Sequence, residues 1–305
     1  MRLRLPAPPS RRGRVSAAPP LCLPPRPIAG TPAQPLLPPG ACDTHIHVFG
    51  PPERYPLVPG RNYTPRPAAL DAYLPVMEAL GIARAVLVQP SVYGTDNAAL
   101  LDALGRMPDR LRGVVVVPPT ITDGEIAALH ARGVRGIRVN RRNPGGLSLD
   151  DLAVLARRIA RFGWHIQLQA VIGDGPALAP VVRDAPVPVV LDHMGFLSPA
   201  LPREEGPFAE LLALLAEGNL WVKLSAPYRL APLEDGAYGR LLPFVSALVA
   251  CRADRLLWAT DWPHPERFDF VPDDLDPAQF LGLDHADAAT RRRIFVDNPA
   301  VLYGF

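Results

Sequence analysis

Histidine recurs at alternate positions in Asp43-Thr44-His45-Ile46-His47-Val48-Phe49. Alternate residues of a strand face one way, so Asp43, His45 and His47 are expected on one face and Ile46 and Val48 on the other. Two buried imidazoles are costly unless they are used or satisfied by hydrogen bonds, and an HxH alone is a short, weak pattern. Two further positions change its weight. His193 follows Val189-Val190-Leu191-Asp192, and Asp261 closes Leu256-Leu257-Trp258-Ala259-Thr260 just before a proline-containing loop. Three apolar runs that end in His or Asp form a constellation able to polarise a carbonyl and move a proton. Asp261 reads as the only acid at a strand end near the histidines.

Arginines mark the charge of the partner. Arg138 ends a strand beside Gly136 and Asn140, Arg141 and Arg142 follow it, and Arg229 stands in Ser225-Ala226-Pro227-Tyr228-Arg229. A planar guanidinium suits bidentate recognition of carboxylates. Ser91, Tyr93, Asn97 and Tyr55 are weaker candidates for binding substrate oxygens, since the Ser91–Asn97 stretch also reads as turn and capping chemistry. His264 is expected to brace Asp261, with Trp262, Pro263 and Pro265 shaping the loop. His130 and His285 fall in helical patterns and read as surface residues.

Positioning such groups requires a scaffold of strands. The candidates are Cys42–Phe49, Arg84–Gln89, Leu111–Val117, Val134–Asn140, Trp164–Ala170, Val187–His193, Leu220–Ala226 and Arg255–Asp261. Helical patterns alternate with them at Leu70–Leu80, Asn97–Arg106, Glu125–Ala131, Leu149–Phe162, Ala177–Arg183, Phe208–Glu217 and Tyr238–Cys251. Asp123 and Ser148 stand where N-caps belong, and Gly81, Gly105, Gly133, Gly163 and Gly218 where helices should stop. Strands alternating with helices in this number predict a (β/α)8 TIM barrel, whose catalytic groups lie at the C-terminal ends of its strands. A doubly wound sheet is the alternative, but no Gly-rich phosphate loop follows the first strand.

The chain has 305 residues and a formal net charge of +2. Near-balanced charge argues against nucleic acid as a partner, and no apolar run approaches the ~18 residues of a membrane span. Cys22, Cys42 and Cys251 lie far apart, so neither a disulfide framework nor a cysteine zinc site is indicated, and a cytoplasmic setting is the default. Residues 1–40 hold 12 prolines and six arginines (Arg2, Arg4, Arg11, Arg12, Arg14 and Arg26) without Asp or Glu. Without those six charges the total of +2 becomes −4. Such a segment reads as a disordered extension preceding one domain over residues 41–305.

The stretches "CDTHIHVFGP", "QPSVYGTDN", "LDHMG" and "ATDWPHP" resemble, in this order, the amidohydrolase superfamily, and within it the 2-pyrone-4,6-dicarboxylate hydrolase and lactonase branch. The resemblance covers residues 41–305. It implies a hydrolase that opens a carboxylated lactone, as in aromatic-compound or sugar-acid breakdown. A lactone isomerase and a zinc-dependent decarboxylase or amidohydrolase are the alternatives. Metal-dependent members add a carboxylated lysine at strand four or a histidine ending strand five. Here strand four has no lysine, strand five ends in Gln169, and His165 lies about 13 Å deeper at ~3.3 Å per residue. The branch resembled works without a metal, so no cofactor is expected. Zn2+ on His45, His47 and Asp261, with water or His193 as fourth partner, is the alternative.

On that reading His45, His47 and His193 polarise the scissile carbonyl and Asp261 takes the proton of the attacking water. The resemblance implies that Arg138 and Arg229 bind carboxylates. A further arginine expected past strand four is replaced by Pro144, with Arg141 and Arg142 nearby. The expected partner is a small anionic lactone. Residue types leave open whether the chain is a homo-oligomer.

Overall fold

Short β-branched runs bounded by glycine and proline form eight parallel strands. They are β1 (Cys42–Ile46), β2 (Arg84–Val88), β3 (Leu111–Val115), β4 (Val134–Asn140), β5 (His165–Gln169), β6 (Val189–Leu191), β7 (Leu220–Ser225) and β8 (Leu256–Ala259). They pair in sequence order from β1 to β8, and a helix follows almost every one: α1 (Leu70–Leu80), α2 (Ala98–Arg106), α3 (Asp123–Ala131), α4 (Leu149–Ala160), α5 (Leu178–Asp184), α6 (Gly206–Glu217) and α7 (Leu242–Arg252). Two short C-terminal helices, α8 (Ala288–Arg292) and α9 (Asn298–Tyr303), complete the chain. This is the expected (β/α)8 barrel. The computed structural model describes residues 18–30, 32–142, 149–173, 178–231 and 237–305. Among them no helix is long and apolar enough to cross a membrane.

Alternation along the strands separates two cores. Outward residues such as Leu87, Val115, Ile137, Ile166, Leu191, Val222 and Trp258 pack under the helices. Inward ones, Cys42, Val86, Val88, Val114, Val190, Trp221 and Leu257, fill the barrel together with Leu302 and Tyr303 of α9. Above that plug the inward positions turn polar: His45, Arg138, Gln167, Gln169 and Lys223 are all buried. Parallel strands buried on both faces are normally apolar, so this polar layer is reserved for chemistry.

The first strand departs from strict alternation. Between Asp43 and Ile46 it carries one residue more than β2, a bulge. Thr44 and His45 occupy the extra step. The expectation that Asp43 shares a face with the histidines is therefore corrected: Asp43 turns outward to α1, accepting from the Tyr73 hydroxyl at 2.8 Å and from Thr260 Oγ1 at 2.5 Å. The same carboxylate takes the Thr260 N–H at 3.1 Å and so helps close the β1/β8 seam. The seam is completed by Asp261 N–H to His45 O, 3.1 Å, and His47 N–H to Trp262 O, 2.8 Å.

Several boundaries differ from expectation. The N-cap of α3 is Thr122, not Asp123, because Thr122 and Glu125 form a reciprocal capping box; Asp123 instead pairs with Arg158 and Arg161. Gly105 lies inside α2, which runs on to Arg106. Gly81 and Gly218 do end helices, in the left-handed conformation that suits glycine. Ser148, Pro144 and Ala177 lie outside the described residues, as do 1–17 and 31.

The remainder of the N-terminal extension is not loose. Cys22 N–H donates to Thr64 O and Leu23 N–H to Arg267 O, both at 2.8 Å, while Cys22 and Leu37 are buried in the helix-layer core. These contacts tie described residues of that segment to the barrel. A proline-rich chain has few N–H groups to satisfy, so it can lie along the barrel with sparse hydrogen bonding.

Candidate active site

Four side chains meet at the C-terminal mouth of the barrel, each delivered by the end of a strand. His45 Nε2 and His47 Nε2 are 3.2 Å apart. Asp261 Oδ1 lies 3.7 Å from both and 3.8 Å from His193 Nε2. All four residues are buried. Of the eight non-glycine residues with positive φ among those described, seven (His193, Met194, Phe196, Ala226, Asp261, His264 and Glu266) lie in the three loops after β6, β7 and β8. Such backbone is unfavourable for L-residues, and it concentrates where side chains must be aimed.

Asp261 is held from one side only. Its Oδ2 accepts the Tyr228 hydroxyl at 2.5 Å and Arg229 Nε–H at 2.7 Å, while Oδ1 has no hydrogen-bond partner and faces the imidazoles. Burial alone would raise this carboxyl's pKa, but Arg229 and the three histidines outweigh it and hold the group well below the usual carboxylate range. The histidines are pushed the other way. Burial drives His47 down to about 3 and His193 down to about 4, and it lowers His45 well below its ordinary value. At neutral pH the cluster is a carboxylate among neutral rings.

The outer nitrogens of those rings are also engaged. His47 Nδ1 lies 2.7 Å from the Val88 carbonyl and His193 Nδ1 2.8 Å from Ser225 Oγ. His45 Nδ1 faces Asp192 Oδ1 and Lys223 Nζ, each at 3.3 Å, and Gln167 Nε2 at 3.5 Å. The expectation that Asp261 is the only acid near the cluster is thus corrected: Asp192 stands behind His45, with Lys223 3.5 Å from its Oδ1. Asp192, Lys223 and Gln167 each sit in or beside an apolar run, which masks them as site residues in the sequence. The signal available was the position of Lys223, the chain's single lysine, on an inward strand face.

Arg138 forms the floor of the adjoining cavity. Its terminal nitrogens donate to Gln89 O at 2.9 Å and Gln169 Oε1 at 2.7 Å, and its Nε has no partner. Tyr63, Ser91, Gln169, Pro265 and Glu266 line the same cavity with Arg138, Arg229, His47, His193 and Asp261. Arg229 is committed to the protein: besides Asp261 it reaches Glu266 Oε2 at 3.2 Å and Pro265 O at 2.6 Å. The space left is about 10 Å³, roughly what one water needs.

Other sequence candidates are not brought to the site. Tyr55 donates its hydroxyl to Asp102 on α2 at 2.8 Å and lines a separate surface cleft. The Tyr93 hydroxyl accepts the Gly50 N–H at 3.1 Å, and Asn97 ties both backbone groups of Val116. Arg141 is exposed and borders a different cavity beside α5 and α6; Arg142 lies 4.0 Å over the Phe196 ring. The His264 side chain bonds Asp274 at 3.1 Å and packs edge-on against Tyr228, while its backbone N–H donates to Asp261 O at 2.8 Å and so braces the turn that carries Asp261. His130, expected on the surface, is half-buried and accepts from Trp164 Nε1. His165 packs against Tyr303 at the barrel floor.

The chain resembles known proteins along most of its length. It is 38% identical over 277 residues to a 2-pyrone-4,6-dicarboxylate hydrolase of Comamonas testosteroni, covering 88% of this chain and 91% of that protein. It is 36% identical over 274 residues to a 4-sulfomuconolactone hydrolase of Rhizobium radiobacter, with the same coverage of each. A D-galactarolactone isomerase of Agrobacterium fabrum is 30% identical over 287 residues, 91% of this chain and 96% of that protein. An Acinetobacter baumannii structure with citric acid bound superposes with TM-score 0.77 at 28% identity, covering 87% of this chain and all of that one. The amidohydrolase family model matches residues 42–305, so the chain belongs to the amidohydrolase family.

Proposed function

We propose that this protein is a hydrolase that opens the ring ester of a carboxylate-bearing lactone. The observation that carries the reading is Asp261 Oδ1: an ionised, unpartnered carboxylate oxygen within 3.8 Å of three neutral imidazole nitrogens, beside the buried Arg138. Support also comes from relatives whose names describe lactone hydrolases.

The chemistry follows from those atoms. Arg138, with Tyr63, Ser91 and Gln169 around it, receives the substrate carboxylate. The scissile carbonyl oxygen lies against the imidazoles, where a donor to the forming oxyanion lowers the barrier. Asp261 Oδ1 takes a proton as water oxygen bonds to the carbonyl carbon. Collapse of the tetrahedral intermediate breaks the ring C–O bond, and the same proton goes to the leaving oxygen. The products are one freed hydroxyl and one new carboxylic acid, which loses the water's second proton to solvent and becomes a carboxylate. With about 10 Å³ in the cleft, a ring enters as Pro265 and Glu266 move outward, which frees the terminal nitrogens of Arg229 for a second anionic group while its Nε stays on Asp261.

A divalent cation also fits the donor set. His45, His47 and Asp261 offer buried, mutually close ligand atoms, as do His45, Asp192 and His193, and neutral imidazoles with engaged outer nitrogens are what such an ion prefers. Bound there, it would polarise the carbonyl and acidify a water. We take hydrolysis to run without it, because the two carboxylates already have cationic partners: Arg229 on Asp261 and Lys223 on Asp192.

Isomerisation is the second reading, since one relative is named as a lactone isomerase and a substrate hydroxyl could replace water against the same base. Turnover in H2(18)O separates them. Hydrolysis places one labelled oxygen in the new carboxylate; a labelled-oxygen count of zero in a rearranged lactone would overturn the hydrolase reading.

A further inference from the structure

Lys223, on the inward face of β7, is buried directly beneath the histidines. Its ammonium has three protons to donate and three hydrogen-bond acceptors in reach, with the Asp192 carboxylate further off at 3.5 Å. The three are the Thr44 carbonyl at 2.8 Å, Gln167 Oε1 at 2.8 Å and His45 Nδ1 at 3.3 Å. Gln167 is oriented for this role because its amide nitrogen donates to Asp192 Oδ2 at 3.1 Å, which turns its oxygen toward Lys223.

The far side of His45 gives an independent constraint. A carbonyl only accepts, so neutral His47 keeps its proton on Nδ1 to donate to Val88 O and presents a lone pair at Nε2. His45 Nε2 is 3.2 Å from that lone pair. Two lone pairs facing at that distance repel, so the proton between the rings belongs to His45 Nε2. His45 Nδ1 is then an acceptor, as the Lys223 arrangement requires. Asp192 Oδ1, 3.3 Å from the same Nδ1, is the competitor that would draw the proton to the other nitrogen.

We propose that Lys223 is a positioning residue that holds His45 in the Nε2–H tautomer, so the ring offers a donor rather than a lone pair to the substrate's carbonyl oxygen. What that donor is for rests on the lactone reading above; the tautomer itself does not. Without Lys223, His45 turns its proton to Asp192 and the site loses one oxyanion donor.

The test is nitrogen NMR of the full chain carrying 15N-imidazole histidine, with His45 assigned by the signal lost in His45→Asn. The chain's seven histidines make this tractable. Wild type is expected to show His45 protonated at Nε2 and bare at Nδ1. Lys223→Met, which keeps the stem and removes the donor, is expected to reverse this. Its kcat on a turned-over lactone should fall ~10²–10³-fold with KM nearly unchanged. A wild-type spectrum with His45 protonated at Nδ1 overturns the proposal without any variant, as does Lys223→Met that keeps the Nε2 proton. If the tautomers behave as stated but no lactone is opened, the functional reading fails while the positioning role stands.

Discussion

Arg229 donates its Nε–H to Asp261 Oδ2 at 2.7 Å. With the Tyr228 hydroxyl on the same oxygen, this leaves the carboxylate a single free lobe, pointed into the histidine cluster. The base is thereby oriented, and it is also kept ionised.

Removing the base should therefore remove turnover. Asp261→Asn preserves shape and one oxygen but cannot take a proton, and general-base losses typically run ~10²–10⁴-fold. A kcat reduced by that factor at an unchanged melting temperature is the expected result. Near-normal turnover would mean that another group, Asp192 being the nearest acid, performs the transfer.

Arg229→Gln should move the acid limb of the pH–rate profile upward. Burial raises the Asp261 pKa and Arg229 is the foremost group opposing it, so deleting the guanidinium lets the carboxyl protonate at higher pH. Activity, which needs the ionised form, would then be lost earlier as pH falls. KM should rise as well if Arg229 swings onto substrate. An unmoved acid limb would place the essential ionisation elsewhere.

Stability should rise with pH across the acid range. Burial depresses the folded-state pKa of His47 and His165 to about 3 and of His193 to about 4, below the ~6.5 of an unfolded chain. Between these values the unfolded state binds more protons, so stability is fully present above about pH 6.5 and is lost as pH falls toward 3. Asp43 opposes this with one proton, since burial lifts its pKa to about 6 and the folded state binds more there between ~4 and 6. The histidines outnumber it. Urea midpoints should climb from pH 3.5 to about 6.5 and level off by pH 7.5; a flat curve below pH 6.5 would mean that these rings are not buried neutral.

Gly136→Ala tests the floor of the barrel apart from its chemistry. A Cβ on Gly136 would sit 2.5 Å from His165 Cε1, and overpacking a rigid interior typically costs about 1–3 kcal/mol. Reduced stability with an unchanged KM for the folded fraction is expected. An undisturbed melting temperature would show that the His165 ring moves aside freely.

The barrel was legible because short β-branched runs alternate with helical patterns, some of them closed by glycine. His45, His47, His193 and Asp261 could be picked out as strand-end residues in a fold that uses strand ends. Less visible was the bulge that turns Asp43 away from its neighbours, since an extra residue in β1 is defined only against the register of β2. Lys223 and Asp192 meet His45 from strands 178 and 147 positions further along, and no local pattern encodes that meeting. Tyr55, Tyr93 and Arg141 show the converse. They follow the right strands, but loop direction is set by partners such as Asp102 and the Gly50 N–H.

Whether Asp261 and its histidines open a carboxylated lactone with water is decided by proton NMR of chelator-treated protein mixed with a panel of such lactones. A ring-opened hydroxy acid is expected from at least one of them, formed at the same rate before and after chelation and abolished by Asp261→Asn. No ring opening until zinc is restored would contradict the metal-free mechanism and make His45, His47 and Asp261 metal ligands; no ring opening under either condition would contradict the function.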